Sequence, residues 1–248
     1  GGQESMSKTP HVIFYREEQK LSEEQLVDTM IHDGLIDAFN NYHMGVTAEN
    51  VAEKYKISRK EQDIFALESQ EKTQKSISQN KFKDELITFE IKKKDKIDIF
   101  KEDEYPRKNL SIDGLNSLKT IFKDNGTVTA GNSSGLNDGA AALVLMSREE
   151  AELRSIEPLV IIASWATCGV EPSLMGLGPI PATSLALKKA GWQINDVDLF
   201  EINEAFASQS IAVIKDLKIP KEIVNVNGGA IALGHPIGAS GARILVTL

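Results

Sequence analysis

The stretch that decides how this chain folds is NVNGGAIALGHPIGASG, residues 225–241. It ends a β-type run, carries five glycines within 14 residues and opens a helix. Glycine has no Cβ, so such a turn lets the backbone approach a ligand or another strand closely. His235 stands between Gly234 and Pro236, which holds its imidazole on a stiff turn that suits a base or an oxyanion donor. A bare Gly-His-Pro is more simply a turn with a surface histidine, but the length of this motif favours a functional role.

A second motif, EINEAFA at residues 201–207, follows the β-type run 197–202. Asn203 lies where that strand passes into a helix predicted at 204–216, so its amide can face the mouth of a site. Asparagine at such a junction is also an ordinary helix N-cap, which is the simpler interpretation of this motif taken alone.

From residue 126 onward, β-rich runs alternate with helical patterns, and glycine and alanine become frequent. The predicted strands are residues 140–146, 160–166, 197–202 and 223–227, and helices are predicted at 148–154, 204–216 and after the glycine-rich turn. This alternation predicts α/β layering, with functional groups at the carboxyl ends of the strands.

The region before it is more charged and more helical in pattern. Two capping boxes predict two helices: Ser22 with Gln25, before a helix through residues 26–39, and Ser58 with Glu61, before a helix that runs toward Asn80. Residues 86–91 alternate like a strand. The lysine-rich run at 92–96 behind them predicts a solvated hairpin tip, with phosphate binding as the alternative.

The composition is typical of a soluble globular protein: of 248 residues, 41% are hydrophobic and 26% charged. A formal net charge of −8 argues against a nucleic-acid partner, although a few local basic groups can still hold a small polyanion. No run approaches the roughly 18 apolar residues of a membrane helix, so we expect no membrane partner. The single cysteine, Cys168, cannot form an internal disulfide, and no metal-binding spacing is present. We therefore expect a reducing compartment, the cytoplasm, and no metal.

These motifs together resemble the thiolase family. EINEAFA at 201–207 and the run from Asn227 to Arg243 have the spacing that the family shows. Further segments agree over the whole chain: GGQESMS at 1–7, YHMG at 42–45, GTVTAGN at 126–132, LNDGAA at 136–141 and MGLGPIPA at 175–182. The YHMG and GPIP segments are most similar to the acetoacetyl-CoA branch of the family.

The resemblance implies a two-step Claisen chemistry on CoA thioesters. One cysteine thiolate takes an acyl group from CoA, and a second cysteine deprotonates acetyl-CoA so that the carbanion attacks the bound thioester; thiolysis is the reverse. Acetyl-CoA and CoA are then the substrates, no cofactor is needed, and the complete protein is expected to be a homo-oligomer, either a dimer or a dimer of dimers.

The resemblance also assigns roles to particular residues. The histidine that matches His235 activates the nucleophilic thiol and helps to bind the thioester oxygen, and the asparagine that matches Asn203 holds a water that completes an oxyanion site. Positions that match the CoA and acyl pocket are Leu35, His43, Met44, Arg107, Phe122, Ser134 and Phe206. Several have a plainer alternative: a surface charge for Arg107, core for Leu35 and Phe206, a turn for Ser134, and a cap or core for His43.

Both family cysteines fall outside this sequence, one before Gly1 and one after Leu248. Cys168 matches neither, and we expect it to be a small buried apolar residue. The chain opens on Gly-Gly without Met or a signal-peptide pattern and ends in a helix without a C-cap, which predicts a piece of a longer protein.

Three hypotheses follow. The first is an acetyl-CoA C-acetyltransferase that is inactive as this chain alone, because the nucleophile is absent. The second is a longer-chain 3-ketoacyl-CoA thiolase of fatty-acid degradation. The third is a non-catalytic truncated or split thiolase chain that serves binding or assembly.

The fold implied is the thiolase fold, with two similar layered α/β halves and an inserted loop domain, truncated at both ends. Residues 1–6 and 137–157 map to the N-terminal half, 7–136 to the loop domain and 158–248 to a truncated C-terminal half. Truncation predicts exposed apolar surface where the missing elements would pack.

Overall fold

The computed structural model describes residues 1–13, 26–94 and 96–248. Eight strands occur in these ranges: β1 (Gly2–Ser5), β2 (His11–Ile13), β3 (Leu26–Asp28), β4 (Ile36–Asp37), β5 (Tyr42–His43), β6 (Phe89–Lys93), β7 (Lys96–Phe100) and β8 (Asp138–Ala141). The α-helices there are α1 (Met44–Tyr55), α2 (Arg59–Ser78), α3 (Ile112–Asn116), α4 (Arg148–Leu153), α5 (Pro179–Ala190), α6 (Ala207–Leu217), α7 (Ala230–Leu233) and α8 (Ile237–Thr247). The strands pair antiparallel as β1 with β8, β2 with β3, β4 with β5 and β6 with β7.

The second capping box is confirmed, but the prediction of a helix over residues 26–39 is wrong. Ser58 caps α2 by accepting from the backbone N–H of Glu61, whose side chain bonds back to Ser58. The first box, Ser22 with Gln25, lies outside the described residues. Its helix is replaced by β3, a π-helix at Met30–Leu35 and β4.

Local turn chemistry explains this difference. Buried Asp37 accepts hydrogen bonds from the backbone and side-chain amide groups of Asn40, at 2.9 and 2.6 Å. Asn41 then takes a left-handed φ of 55°. The turn reverses the chain so that Ile36 pairs with His43, which an α-helix through residue 39 would prevent.

The predicted α/β strands form only in part. Residues 138–141 pair with β1, but no strand is assigned at 142–146, which is the rest of the predicted strand 140–146, or at 160–166. The runs 197–202 and 223–227 meet through one parallel bridge, Phe200 to Val224. A strand needs a partner for its backbone groups, and within the described residues these runs have little or none. The expected exposed apolar surface lies here, with Val144 86% and Leu159 100% exposed.

The hairpin of β6 and β7 matches the prediction for residues 86–96, except that the first strand begins at Phe89. Lys93 and Lys96 lie close to Asp98, at 2.5 and 2.8 Å, and both lysine side chains are more than half exposed. These described residues of the lysine-rich run are therefore a solvated tip whose charge is partly matched by its own strand.

Helix α6 is the centre of the packing. Its small or branched residues enter three apolar clusters: Ala212 packs with Val51 of α1, Ala207 with Ala66 of α2, and Val213 with the 202–224 segment. Ala207, Ala212 and Val213 are all fully buried. Because the EINEAFA motif leads directly into α6, this packing fixes where the motif sits.

The buried carboxylate of Glu204 ties three segments together. It accepts hydrogen bonds from Ser69 Oγ on α2 at 2.7 Å, from Asn225 Nδ2 at 2.8 Å and from the backbone N–H of Ile231 at 3.2 Å. A Cβ on Gly229 would lie 2.2 Å from the Glu204 carboxyl carbon. Glycine is therefore required at this position because the carboxylate occupies the space.

Substitution Gly229→Ala should destabilise the chain by about 2–4 kcal/mol, because the new methyl group must displace a carboxylate held by three hydrogen bonds. Gly241→Ala is the matched control. It lies within α8 and a Cβ there meets nothing within 4 Å. It should add about 0.5–1 kcal/mol of stability. Urea unfolding of both variants measures the difference, and equal stabilities would contradict the packing described for Glu204.

In the described ranges, no helix is long and apolar enough to cross a membrane. The pairing of β1 with β8 brings residues 2–5 against 138–141, which are the two parts assigned to the N-terminal half. The division into halves and a loop domain stays a prediction.

Candidate active site

One cavity of about 860 Å³ brings together all nine residues predicted to form the site. They come from widely separated parts of the chain: Leu35, His43, Met44, Arg107, Phe122, Ser134, Asn203, Phe206 and His235. The remaining lining is mostly apolar and includes Met175, Pro179 and Ile202.

The two predicted catalytic side chains meet on the wall of this cavity. Asn203 Nδ2 lies 3.3 Å from His235 Nε2, so two residues that are 32 positions apart in sequence are in direct contact. Asn203 is not a helix N-cap, because α6 begins at Ala207 and its N-cap is Phe206. The segment before α6 is held extended by Ser134, whose backbone N–H and hydroxyl both donate to the Ala205 carbonyl at 3.0 Å.

The turn that mounts His235 is rigid for identifiable reasons. Gly234 has a φ of +101°, and a Cβ there would lie 2.7 Å from the Asn137 side chain. That same side chain accepts the backbone N–H of His235 at 3.1 Å through Oδ1. On the other side of the ring, His235 Nδ1 is 2.6 Å from Ser240 Oγ. Burial, and then the positive charge of Arg243, lower the pKa of the His235 imidazole, which favours its neutral form.

An aromatic wall stands next to this pair. The His43 ring stacks on Phe122 with centroids 4.6 Å apart, and Phe122 meets Phe206 edge-on at 6.1 Å. His43 is also the N-cap of α1, accepting the Gly45 N–H at Nδ1 over 3.0 Å. Burial lowers the pKa of His43, which favours the neutral ring, and because Nδ1 accepts the Gly45 N–H the neutral form carries its proton on Nε2. His43 therefore both caps α1 and lines the cavity.

The other predicted residues divide between wall and rim. Leu35 ends the π-helix rather than lying in the core of an α-helix, and Met44 opens α1. Arg107 is exposed, with its guanidinium 5.8 Å from the centre of the Tyr105 ring. The rim therefore carries a positive charge, while the rest of the lining is mostly apolar.

The sequence interpretation missed three polar residues beside the pair: Ser240, Glu201 and Arg243. Glu201 lines the cavity, its side chain is 5% exposed, and Oε2 lies 3.6 Å from Arg243 Nη1 on α8. Burial raises the pKa of Glu201 to about 7, against the opposing charge of Arg243. All three lie close in sequence to the predicted pair: Glu201 is two residues before Asn203, Ser240 is five residues after His235, and Arg243 follows Ser240 by three. Only the folded chain shows which of these side chains meet.

Cys168 takes no part in the lining of this cavity. It lies in the extended segment after residue 160 and is half-buried. The expectation of a fully buried residue is therefore wrong, because no strand assigned in the described residues covers this segment.

Comparison with known proteins gives a consistent result over the whole chain. The family models described as Thiolase, N-terminal domain and Thiolase, C-terminal domain match residues 1–149 and 156–248. The acetyl-CoA acetyltransferase of Paracoccus denitrificans is 54% identical over 248 residues, covering 100% of this chain and 63% of that relative.

Solved structures agree with the sequence comparison. The crystal structure of the Bacillus anthracis acetyl-CoA acetyltransferase matches with a TM-score of 0.97 at 45% identity, covering 100% of this chain and 63% of that one. Human mitochondrial 3-ketoacyl-CoA thiolase matches with a TM-score of 0.91 at 40% identity, with the same coverage of 100% and 63%.

Fold and site together define an α/β protein in which an asparagine just before helix α6 and a turn histidine meet beside one mostly apolar cavity. The chain belongs to the thiolase family and has the thiolase fold. It spans about 63% of the length of the curated relatives it matches.

Substitution Glu201→Gln should remove a pH dependence of stability. The Glu201 pKa rises from 4.5 to about 7 on folding, so between these values the native state binds more protons than the unfolded state. Wild-type stability should then fall as pH rises through this window, with up to about 3 kcal/mol of the fall due to Glu201, and the fall should be smaller by that amount in the glutamine variant.

Urea unfolding at about pH 5 and about pH 8 measures the slope for each protein. Exposed Glu222 provides the control, because Glu222→Gln should keep the wild-type slope. The same slope in wild type and Glu201→Gln would show that Glu201 is not held protonated by burial.

Proposed function

We propose that this cavity binds the acyl-CoA thioester in an acetyl-CoA C-acetyltransferase. The complete protein would condense two acetyl-CoA molecules to acetoacetyl-CoA and CoA, and would cleave acetoacetyl-CoA with CoA in reverse. The observation that carries the proposal is the contact of Asn203 Nδ2 with His235 Nε2 at 3.3 Å, on the wall of the one cavity that all nine predicted residues line.

His235 is proposed to act on the nucleophilic thiol and on the thioester oxygen. A neutral imidazole can accept the thiol proton and leave a thiolate, and the resulting imidazolium can donate to the oxygen as negative charge develops there. The lowered pKa of His235 supports this order, because the ring is neutral before the proton moves.

Asn203 is proposed to hold a water that completes the oxyanion site. Its Oδ1 is buried and has no hydrogen-bond partner within the described residues. A buried acceptor without a partner costs free energy, and a water molecule that donates to it would remove that cost. Such a water has a second hydrogen to offer an enolate oxygen.

The remaining lining fits the rest of the ligand. The stacked His43 and Phe122 rings, with Met44, offer apolar walls to a pantetheine arm and a short acyl group. Arg107 on the exposed rim offers a positive charge to the phosphates at the far end of CoA. The net charge of −8 does not oppose this, because phosphate binding depends on the local charge.

Substitution Arg107→Ala should weaken the binding of free CoA by the chain about five- to tenfold, because one charged contact to phosphate is lost. Binding of pantetheine, which has no phosphate, should be unchanged. Isothermal titration with both ligands measures this, with Arg148→Ala on exposed α4 as the control. Equal losses for both ligands would contradict a phosphate contact at Arg107.

Catalysis is tested on the complete gene product. His235→Ala should lower kcat for acetoacetyl-CoA thiolysis by about 10²–10⁴-fold, because a positioned proton acceptor is lost. His11→Ala, on the exposed β2, should leave kcat unchanged. The polypeptide of these 248 residues alone should show no turnover, because its one cysteine, Cys168, does not line the cavity.

Turnover by the 248 residues near the rate of the complete product would show that a nucleophile lies within them. Absence of thiolysis in both forms would contradict the proposed activity and favour the non-catalytic alternative.

A longer-chain 3-ketoacyl-CoA thiolase is the second candidate. The structural match to the human mitochondrial 3-ketoacyl-CoA thiolase, at a TM-score of 0.91, supports it. The Tyr42-His43-Met44 segment favours the acetoacetyl-CoA assignment. Comparing kcat/KM for acetoacetyl-CoA with that for longer 3-ketoacyl-CoA substrates separates the two.

We also infer a homo-oligomer, a dimer or a dimer of dimers, for the complete protein, and a cytoplasmic location. The resemblance to the family supports the first, and the single cysteine supports a reducing compartment.

A further inference from the structure

Ser240 occupies a position that the roles assigned above do not explain. It lies in the first turn of α8 and is 5% exposed. Its hydroxyl is 2.6 Å from His235 Nδ1 and 3.0 Å from the Pro236 carbonyl oxygen, to which it can donate. With Asn203 Nδ2 at 3.3 Å from Nε2, both nitrogens of the imidazole have a polar neighbour.

Two hydrogen-bond arrangements are possible along this chain of groups. In the first, Ser240 donates to Pro236, His235 donates from Nδ1 to Ser240, and Asn203 donates to Nε2. In the second, the two bonds to the imidazole are reversed: Ser240 donates to Nδ1, and Nε2–H donates to an Asn203 amide turned over. Each arrangement requires a different neutral tautomer of His235.

The count of satisfied groups favours the first arrangement. It leaves one acceptor without a partner, Asn203 Oδ1. The second places the Asn203 amide nitrogen, with its two N–H donors, in that same partnerless position. Buried donors without partners are rarer in proteins than under-satisfied carbonyl oxygens. The second arrangement also removes the hydroxyl bond to Pro236, although two backbone N–H groups at 2.8 and 2.9 Å still satisfy that carbonyl.

We propose that Ser240 is a positioning residue that holds His235 in the Nδ1–H tautomer, so that Nε2 keeps a lone pair, which accepts the Asn203 amide N–H until a thiol takes the place of that donor. This inference rests on the proposed function, in which a cysteine thiol approaches Nε2. The proton then passes from sulfur to Nε2, the electron pair of the S–H bond stays on sulfur, and the imidazolium keeps its Nδ1–H bond to Ser240. With the opposite tautomer, Nε2 would already carry a proton and could not accept another.

His43 is an internal reference for this proposal. Its Nδ1 accepts the Gly45 N–H at 3.0 Å, so its neutral form is the Nε2–H tautomer. The chain has four histidines, and the other two, His11 and His32, have side chains that are 54% and 57% exposed. The two histidines of the cavity should therefore give opposite tautomer signatures, distinct from the signals of the two exposed rings.

The direct test is NMR of the 248-residue chain with ¹⁵N-labelled histidine at about pH 8, where the buried rings are neutral. His235 should show a protonated Nδ1 and an unprotonated Nε2, and His43 the reverse. In Ser240→Ala, His235 should shift toward Nε2–H while His43 keeps its signals, which also reports that the fold is intact. Ser240→Thr, which keeps a hydroxyl, should preserve the wild-type tautomer.

Ser184→Ala is the matched control. The Ser184 hydroxyl donates to the carbonyl four residues earlier at 3.0 Å, as the Ser240 hydroxyl does, but it has no histidine neighbour among its hydrogen bonds. It should leave all four histidines unchanged. An Nε2–H tautomer for His235 in the wild type, or no tautomer change in Ser240→Ala, would overturn the proposal.

A kinetic experiment distinguishes a failure of this proposal from a failure of the proposed function. In the complete gene product, Ser240→Ala should lower kcat for thiolysis roughly 10²-fold with little change in KM, and Ser240→Thr should recover most of the loss. Full kcat in Ser240→Ala despite a changed tautomer would refute the positioning role. A wild-type product without thiolysis would contradict the proposed function, while the NMR result would still decide the tautomer.

Discussion

The buried carboxylate of Glu204 is the constraint on which the candidate site depends. It follows Asn203 directly, and it holds the backbone of Ile231, four residues before His235. Fixing this one group therefore fixes the separation of the two polar side chains, although they are 32 residues apart in sequence. An isolated buried carboxylate would be costly, and burial does raise the Glu204 pKa. Three donors offset that cost, which is why the same contact can serve both the packing of α2 and the geometry of the site.

The sequence could predict which residues come together, because they lie in motifs that resemble one family, and all nine line one cavity. What the motifs could not supply was the partner of each residue. Ser240 was quoted within the glycine-rich stretch, yet its relation to His235 depends on a helix that begins at Ile237 and returns the hydroxyl to the ring. The pairing of Glu201 with Arg243 joins two motifs that only the folded chain brings together. Such contacts depend on three-dimensional distance, which a residue pattern does not encode.

The fold was predicted well where one segment contains all the residues that define an element. It was predicted poorly where an element depends on a partner elsewhere in the chain. The α2 helix has its capping box and its length within one segment, so its start was correctly placed. Residues 142–146 and 160–166 have the composition of strands, but a strand is defined by hydrogen bonds to a neighbour. In the described part of the chain that neighbour is missing, and Val144 and Leu159 remain exposed. Around Asp37, a side-chain turn overrode an apolar spacing that had favoured a helix.

The distribution of charge in the cavity suits the proposed function, in which the ligand carries phosphates at one end and a neutral thioester at the other. Burial lowers the pKa of both His43 and His235, which favours their neutral forms, and the Arg243 guanidinium near His235 lies 3.6 Å from the Glu201 carboxyl group. The positive charge of Arg107 is at the exposed rim instead. In the proposed function, the neutral His235 and Asn203 side chains, whose positions depend on Glu204, Asn137 and Ser240, would stabilise charge only as it develops, which is the property that accelerates a reaction rather than merely tightening binding.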